Sequence, residues 1–181
     1  MKGVNSNLPG VLIFDTAIYE DERGFFVESF NQRSFEGAVG RKVEFVQDNH
    51  SRSVRHVLRG LHYQVKHAQG KLVRVISGEI FDVAVDLRRS SATFGQWTAA
   101  TLSAGNRKQM WIPEGFGHGF LVLSETAEIV YKVTDYYSPK DERSLMWNDP
   151  EIGISWPLNG PPILSARDRN ALPLRSADTF P

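Results

Sequence analysis

Short apolar runs separated by polar, glycine- or proline-bearing breaks set the rhythm of this chain. Val11-Leu12-Ile13-Phe14 reads as a strand, and residues 25–30, aromatic at both ends, as a second. Between them Glu20-Asp21-Glu22-Arg23-Gly24 reads as a charged turn closed by glycine. Residues 31–40 predict a short helix, with Asn31 as N-cap and Gly40 as the stop. Residues 42–49 predict another strand, 49–54 a polar, turn-like connection, and 57–64 a strand again. Residues 71–76 and 80–87 flank Ser77-Gly78-Glu79, the pattern of a β-hairpin. Residues 97–102, 109–112, 116–123 and 127–134 continue the series, with Gly, Asn, Pro or Ser between them. From Tyr136 onward, Pro139, Pro150, Pro157, Pro161, Pro162 and Pro173 favour irregular structure or one short helix. Many short strands at near-regular spacing predict an all-β barrel or jelly roll, with residues 1–181 forming one domain.

Composition narrows the function classes. Lys plus Arg number 21 against 21 Asp plus Glu, so no broad field recommends nucleic acid or an anionic membrane. An anionic ligand must be caught by local arginines and lysines. There is no cysteine, which removes disulfides and thiolate chemistry. The N-terminal residues lack the apolar core of a signal peptide, and no apolar run reaches membrane-spanning length, so a cytoplasmic location is expected.

Candidate chemistry centres on Val57-Leu58-Arg59-Gly60-Leu61-His62-Tyr63-Gln64. Strand alternation puts His62 on the face of Leu58, Gly60 and Gln64, where a bare glycine leaves room beside the imidazole. By itself this would also describe a packed histidine next to a glycine bulge. The same alternation sends Arg59 to the opposite face, unless Gly60 marks a bulge or one of the pair serves a second subunit. Lys71 opens a strand, Tyr131 lies in an apolar run, and Asp168 follows Ser165 in the spacing of a capping box. Each of these has an ordinary structural reading as well: an edge charge, a core tyrosine, a helix cap.

Pro113-Glu114-Gly115-Phe116-Gly117-His118 fits the second cupin motif, which in cupins supplies a metal ligand. The first motif, His-x-His with a following glutamate, is absent: His62 is followed by His67, and Lys71 stands where a glutamate could be. The chain thus resembles a cupin jelly-roll barrel without its metal site, with short peripheral helices and an irregular C-terminal segment.

Asp21-Glu22-Arg23-Gly24-Phe25-Phe26, Phe45-Val46-Gln47-Asp48-Asn49-His50-Ser51, Leu58-Arg59-Gly60-Leu61-His62 and Gln69-Gly70-Lys71-Leu72-Val73-Arg74 share one family pattern. Phe94-Gly95-Gln96-Trp97, Trp111-Ile112-Pro113-Glu114-Gly115-Phe116 and Tyr131-Lys132 share it too, in order along nearly the whole chain. The sequence closely resembles the dTDP-4-dehydrorhamnose 3,5-epimerase family. That resemblance implies inversion of a dTDP-linked 4-keto-6-deoxy hexose at C3 and C5, without metal or redox cofactor. It implies His62 as base, Asp168 as its partner acid, Lys71 at the enolate oxygen and Tyr131 as acid on the opposite face. It further implies substrate contacts from Arg23, Glu28, Gln47, Asp48, Asn49, Arg59, Lys71, His118, Glu142 and Arg167, with Tyr137 stacking on thymine. A homodimer whose N-terminal strands cross to the partner is implied as well, so that Arg23 and Glu28 act in trans. Where the family commonly carries lysine before the acid, this chain has Arg167. The same residues would suit a mono-epimerase of a related dTDP-sugar, or a cupin that binds such sugars without catalysis.

Overall fold

The computed structural model describes residues 1–181 and consists of two antiparallel sheets packed face to face. Strands β1 (Lys2–Asn5), β2 (Leu12–Asp15), β5 (Gln47–Val54), β7 (Lys71–Ser77), β10 (Gln109–Ile112) and β12 (Thr126–Val133) form one, in the order β1-β2-β10-β7-β12-β5. The other runs β13-β6-β11-β8-β9, from β6 (Leu58–Gln64), β8 (Glu79–Asp86), β9 (Trp97–Ser103), β11 (Phe116–Val122) and β13 (Glu142–Ser144). A separate ribbon pairs β3 (Ile18–Asp21) with β4 (Gly24–Val27). The expected all-β jelly-roll architecture is what is observed.

Three apolar layers hold this sandwich. Between the sheets lie Val73, Val75, Ile80, Ala84, Met110, Phe120, Val122 and Ile129 with their neighbours. Against the outer face of the six-stranded sheet, helix α1 (Gln32–Val39) buries Phe35 on Leu12, Phe14, Leu72 and Trp111. Asn31 accepts a bond from the Ser34 amide and Gly40 ends the helix in the left-handed conformation, so both predicted caps are in place. The C-terminal segment covers the outer face of the five-stranded sheet, placing Leu145, Ile152, Leu174 and Ala177 on Leu61, Tyr63, Val83 and Val85. That segment contains only a four-residue helix, α2 (Ala166–Arg169), and a 3-10 turn at Leu174–Ser176.

Several sequence expectations need correction. Residues 71–87 do not form a hairpin: β7 and β8 belong to different sheets, and Gly78 turns the corner between them. The predicted strand 42–49 starts instead at Gln47 and runs through the polar stretch to Val54. Those polar residues pair with β12 over eight positions at the sheet edge, where one face meets solvent. Val43 and Phe45 serve as packing for α1 rather than as strand. The predicted turn at 20–24 is present, as the tip of the β3–β4 ribbon, which leaves Tyr19, Phe25 and Phe26 exposed.

Gly78 has φ +78° and a Cβ there would sit 2.0 Å from the Thr126 carbonyl oxygen. Both the conformation and the space demand glycine. Gly78→Ala should therefore cost about 3 kcal/mol in urea unfolding, at the upper end of ordinary single substitutions. A change below about 0.5 kcal/mol, the range of neutral surface substitutions, would contradict this reading of the corner.

Candidate active site

Inward-facing positions are apolar along most of the barrel and turn polar at one end. On β12 the inner face runs Ala127, Ile129, Tyr131; on β7 it runs Val75, Val73, Lys71. Register pairs Tyr131 with Asn49 and Val133 with Gln47 on β5. His62 and Gln64 point in from β6 across the interior, and Glu142 on β13 pairs with Gln64. These groups line a cavity of about 220 Å³ bounded by Gln47, Asn49, His62, Gln69, Lys71, Tyr131, Tyr137 and Glu142.

The position of His62 follows from a bulge. On β11, His118 pairs with His62 and Phe120 with Arg59, so one residue of β11 faces two of β6. His118 and Phe120 are two apart and share a face, so His62 and Arg59 share one as well. Gly60 makes this possible: its φ is +121°, and a Cβ would lie 2.6 Å from the Gly119 Cα. The awkward opposite-face prediction for Arg59 and His62 is thus resolved within one chain by the bulge. Arg59 is exposed, donates to the Arg52 carbonyl, and acts electrostatically on Tyr131.

His62 Nε2 lies 2.6 Å from Asp168 Oδ1, which leaves Nδ1 as the basic nitrogen. Asp168 is buried, and its other oxygen accepts from the Ser165 hydroxyl at 2.8 Å. Ser165 in turn caps α2 by accepting from the Asp168 amide. Ser165 is therefore the N-cap its spacing suggested, but the Asp168 carboxylate accepts from the Ser165 hydroxyl, and this contact helps turn it toward His62. Burial works to raise the Asp168 pKa, but the bond to His62, the His62 charge and the Ser165 bond leave it below the usual carboxylate value.

Burial brings Lys71 down to about 8, with Glu142 and Asp82 pulling the other way. Its Nζ donates to the His62 carbonyl at 3.3 Å. Tyr131 is raised above the ordinary phenol value, chiefly by burial, so the hydroxyl stays a protonated donor at neutral pH. At the rim, the Tyr137 hydroxyl donates to Glu142 at 2.6 Å, and Arg167 pairs with the same carboxylate. Beyond Glu142 an open groove of about 510 Å³ continues along Pro139, Arg143 and Arg167.

Not every predicted residue is gathered here. Asp48 points to the outer face of its sheet, as alternation between Gln47 and Asn49 requires, and pairs with Lys132 at 3.0 Å. Arg23 stands at the tip of the β3–β4 ribbon against Asp21, and Glu28 meets Asn31, both outside the cavity. His118 is buried against Asp82 and does not line the cavity. Gln69 lines it without having been singled out; its amide holds the Asp135 carbonyl at 2.8 Å, and its place two residues before Lys71 was the available signal. A larger cleft of about 360 Å³ lies around Phe30, Leu72, Arg74 and Val130, but its one carboxylate, Asp48, is taken up by Lys132 and holds no imidazole. No group of three or more His, Asp or Glu side chains converges as metal ligands.

The profile of the dTDP-4-dehydrorhamnose 3,5-epimerase family matches residues 5–176. The chain belongs to this family. It is 59% identical to the dTDP-4-dehydrorhamnose 3,5-epimerase of Pseudomonas aeruginosa, over 100% of both chains. A dTDP-6-deoxy-D-glucose-3,5-epimerase of Legionella pneumophila, solved with dTDP-4-keto-L-rhamnose, superimposes with a TM-score of 0.95 at 50% identity. That likeness covers 98% of this chain and 94% of the other. A 3′-monoepimerase of Streptomyces bikiniensis, solved with dTDP-quinovose, reaches a TM-score of 0.89 at 35% identity, covering 94% and 87%. Solved proteins of this fold thus include a 3′-monoepimerase as well as a 3,5-epimerase.

The folded pKa of Asp168 lies below its unfolded value, so its contribution to stability is present above pH 3.8 and fades as pH falls through the folded value. Asp168→Asn should be less stable than the native protein near neutrality, and the gap should close on acidification. Urea midpoints measured from pH 7 downward check this; a gap that stayed constant would mean the carboxylate is not held by charge.

Proposed function

We propose that this protein converts dTDP-4-dehydro-6-deoxy-D-glucose to dTDP-4-dehydro-L-rhamnose by inversion at C3 and C5, on the route to dTDP-L-rhamnose and without a metal or redox cofactor. What carries the reading is one cavity that joins a carboxylate-held imidazole, a buried lysine and a half-buried phenol. It stands in a chain 59% identical over its full length to a 3,5-epimerase.

Both carbons flank the C4 ketone, so each C–H is acidified by delocalisation onto the same oxygen. His62 takes the proton, and Asp168 holds the ring and stabilises the imidazolium that forms. The Lys71 ammonium faces the enolate oxygen, in a dry setting where such a charge acts strongly. Tyr131 returns a proton to the opposite face, which inverts the centre. After each inversion His62 holds one proton more and Tyr131 one fewer; His62 gives its proton to water and Tyr131 takes one from water before the second carbon reacts.

The groove beyond Glu142 suits the nucleoside diphosphate. Arg167 lines that groove and offers a guanidinium fork for phosphate oxygens; Tyr137, on the cavity side of Glu142, is read as an aromatic face for thymine, and the exposed Arg59, which lines neither space, as a second phosphate contact. Arginine in place of the family's lysine at 167 keeps the charge but changes its hydrogen-bond geometry. Gln47, Asn49 and Glu142 are read as sugar contacts. Arg23 and Glu28 reach a site only if the β3–β4 ribbon serves a second copy. We read the exposed Phe25, Phe26 and Tyr19 on that ribbon as its docking residues in a homodimer. The whole chain is read as one cupin-like domain acting in the cytoplasm.

Incubating protein and substrate in D2O and following the sugar by NMR tests the activity. Deuterium at both C3 and C5 is expected. Label at a single carbon would make the protein a mono-epimerase, and none would make it a binder. Shared sites are tested by mixing the inactive variants Arg23→Ala and His62→Ala. Mixed dimers should regain activity well above either parent, whereas continued silence would place Arg23 in its own subunit's chemistry or in none.

A further inference from the structure

Beneath the cavity lies a charged group to which the proposed chemistry gives no part. Asp82, on β8, is fully buried, and its Oδ1 accepts from His118 Nε2 at 2.7 Å. Its other oxygen, also buried, has no hydrogen-bond partner. A carboxylate in such a place is costly unless a cation nearby compensates it. Lys71 is the one buried cation in the chain, on the facing sheet, and its Nζ meets the carbonyl of His62, the cross-strand partner of His118.

His118 does not compensate the charge. Burial keeps its pKa below the usual histidine value against the pull of Asp82, and Lys71 and His62 add to the depression. As a neutral donor it locks one oxygen of Asp82 and leaves the pair with a full negative charge. Lys71 is faced by Glu142 from β13, Asp82 from β8, His62 from β6, His118 from β11 and Tyr131 from β12. Glu142 exerts the stronger pull of the two carboxylates, but it also serves Tyr137 and Arg167. Asp82 has no such rival claim on its free oxygen.

We propose that Asp82, oriented by a neutral His118, is a positioning residue that holds the Lys71 ammonium charged beneath the substrate's C4 oxygen. The link to catalysis rests on the reading of Lys71 as the partner of the enolate; the coupling itself does not. With Asp82 in place, Lys71 keeps its charge although burial works against it.

Titration of Lys71 by NMR on ε-13C-lysine protein tests the coupling without activity, its signal being identified by its loss in Lys71→Met. The native midpoint should fall near 8, and in Asp82→Asn it should drop by roughly one pH unit, the size expected for losing one nearby opposite charge. An unmoved midpoint overturns the proposal. Should Asp82→Asn fail to fold, γ-13C-aspartate labelling of the native protein decides. The Asp82 signal should be that of a carboxylate at neutral pH and inflect at the Lys71 midpoint; a protonated carboxyl, or no inflection, overturns it. In kcat against pH, the alkaline limb should move down with the Lys71 midpoint, whereas simple damage to packing would lower kcat at every pH alike. A midpoint that moved without the limb would overturn the assignment of Lys71 to the enolate and leave the coupling standing.

Discussion

The contact between His62 and Asp168 joins positions 106 residues apart in the chain, and much of the architecture exists to let it form. From the His62 side it needs a bulge in β6, which Gly60 permits by lying against Gly119 with no side chain between. From the Asp168 side it needs the C-terminal segment to lie across the outer face of the five-stranded sheet. Leu145 exchanges both backbone bonds with Leu61, and Ile163 pairs with the backbone around Val57. Leu174 and Ala177 then fasten the tail to the apolar layer under that sheet. A helix of four residues has little stability of its own, so packing on either side, together with the Ser165 cap, is what keeps Asp168 in place.

The same constraint explains why polar groups crowd one end of an otherwise apolar barrel. Lys71, His118, Asp82 and Asp168 are all buried, and every one of them would be cheaper in water. They are tolerated because they pair with one another: acid with imidazole twice over, and ammonium with the surrounding carboxylates. Burial also sets their chemical character. It raises Tyr131, which therefore keeps its proton, and works against the charge of Lys71, which Glu142 and Asp82 sustain. The apolar layers around α1 and under the C-terminal tail supply the stability that such a site gives up.

Much of this was legible in the residues. The β rhythm, the Asn31 and Gly40 caps and the low regularity after Tyr136 followed from local chemistry, which packing did not overrule. The corner at Gly78 read as a hairpin because a tight glycine turn looks the same whether its strands pair or part; only the register with β11 and β12 separates the two. Strand β5 was hidden because its inner positions, Asn49, Ser51 and Ser53, are polar, and period-2 patterning needs an apolar face to be seen. Among site residues, His62, Lys71, Tyr131 and Asp168 were singled out by type and setting, but their convergence depended on pairings between sheets. Asp48 was carried along with its neighbours in Gln47-Asp48-Asn49, although alternation alone turns it outward. Asp82 gave no sign, since an acid inside an apolar strand resembles any other until its partner is known.

The proposed reaction has the imidazole and the phenol serve opposite faces of one sugar ring. Comparing deuterium wash-in with inversion for Tyr131→Phe and His62→Ala in D2O tests this most directly. Tyr131→Phe should still exchange the C3 proton with the original configuration retained, while His62→Ala should lose exchange and inversion together. Full inversion by Tyr131→Phe, or exchange surviving in His62→Ala at the native rate, would contradict it.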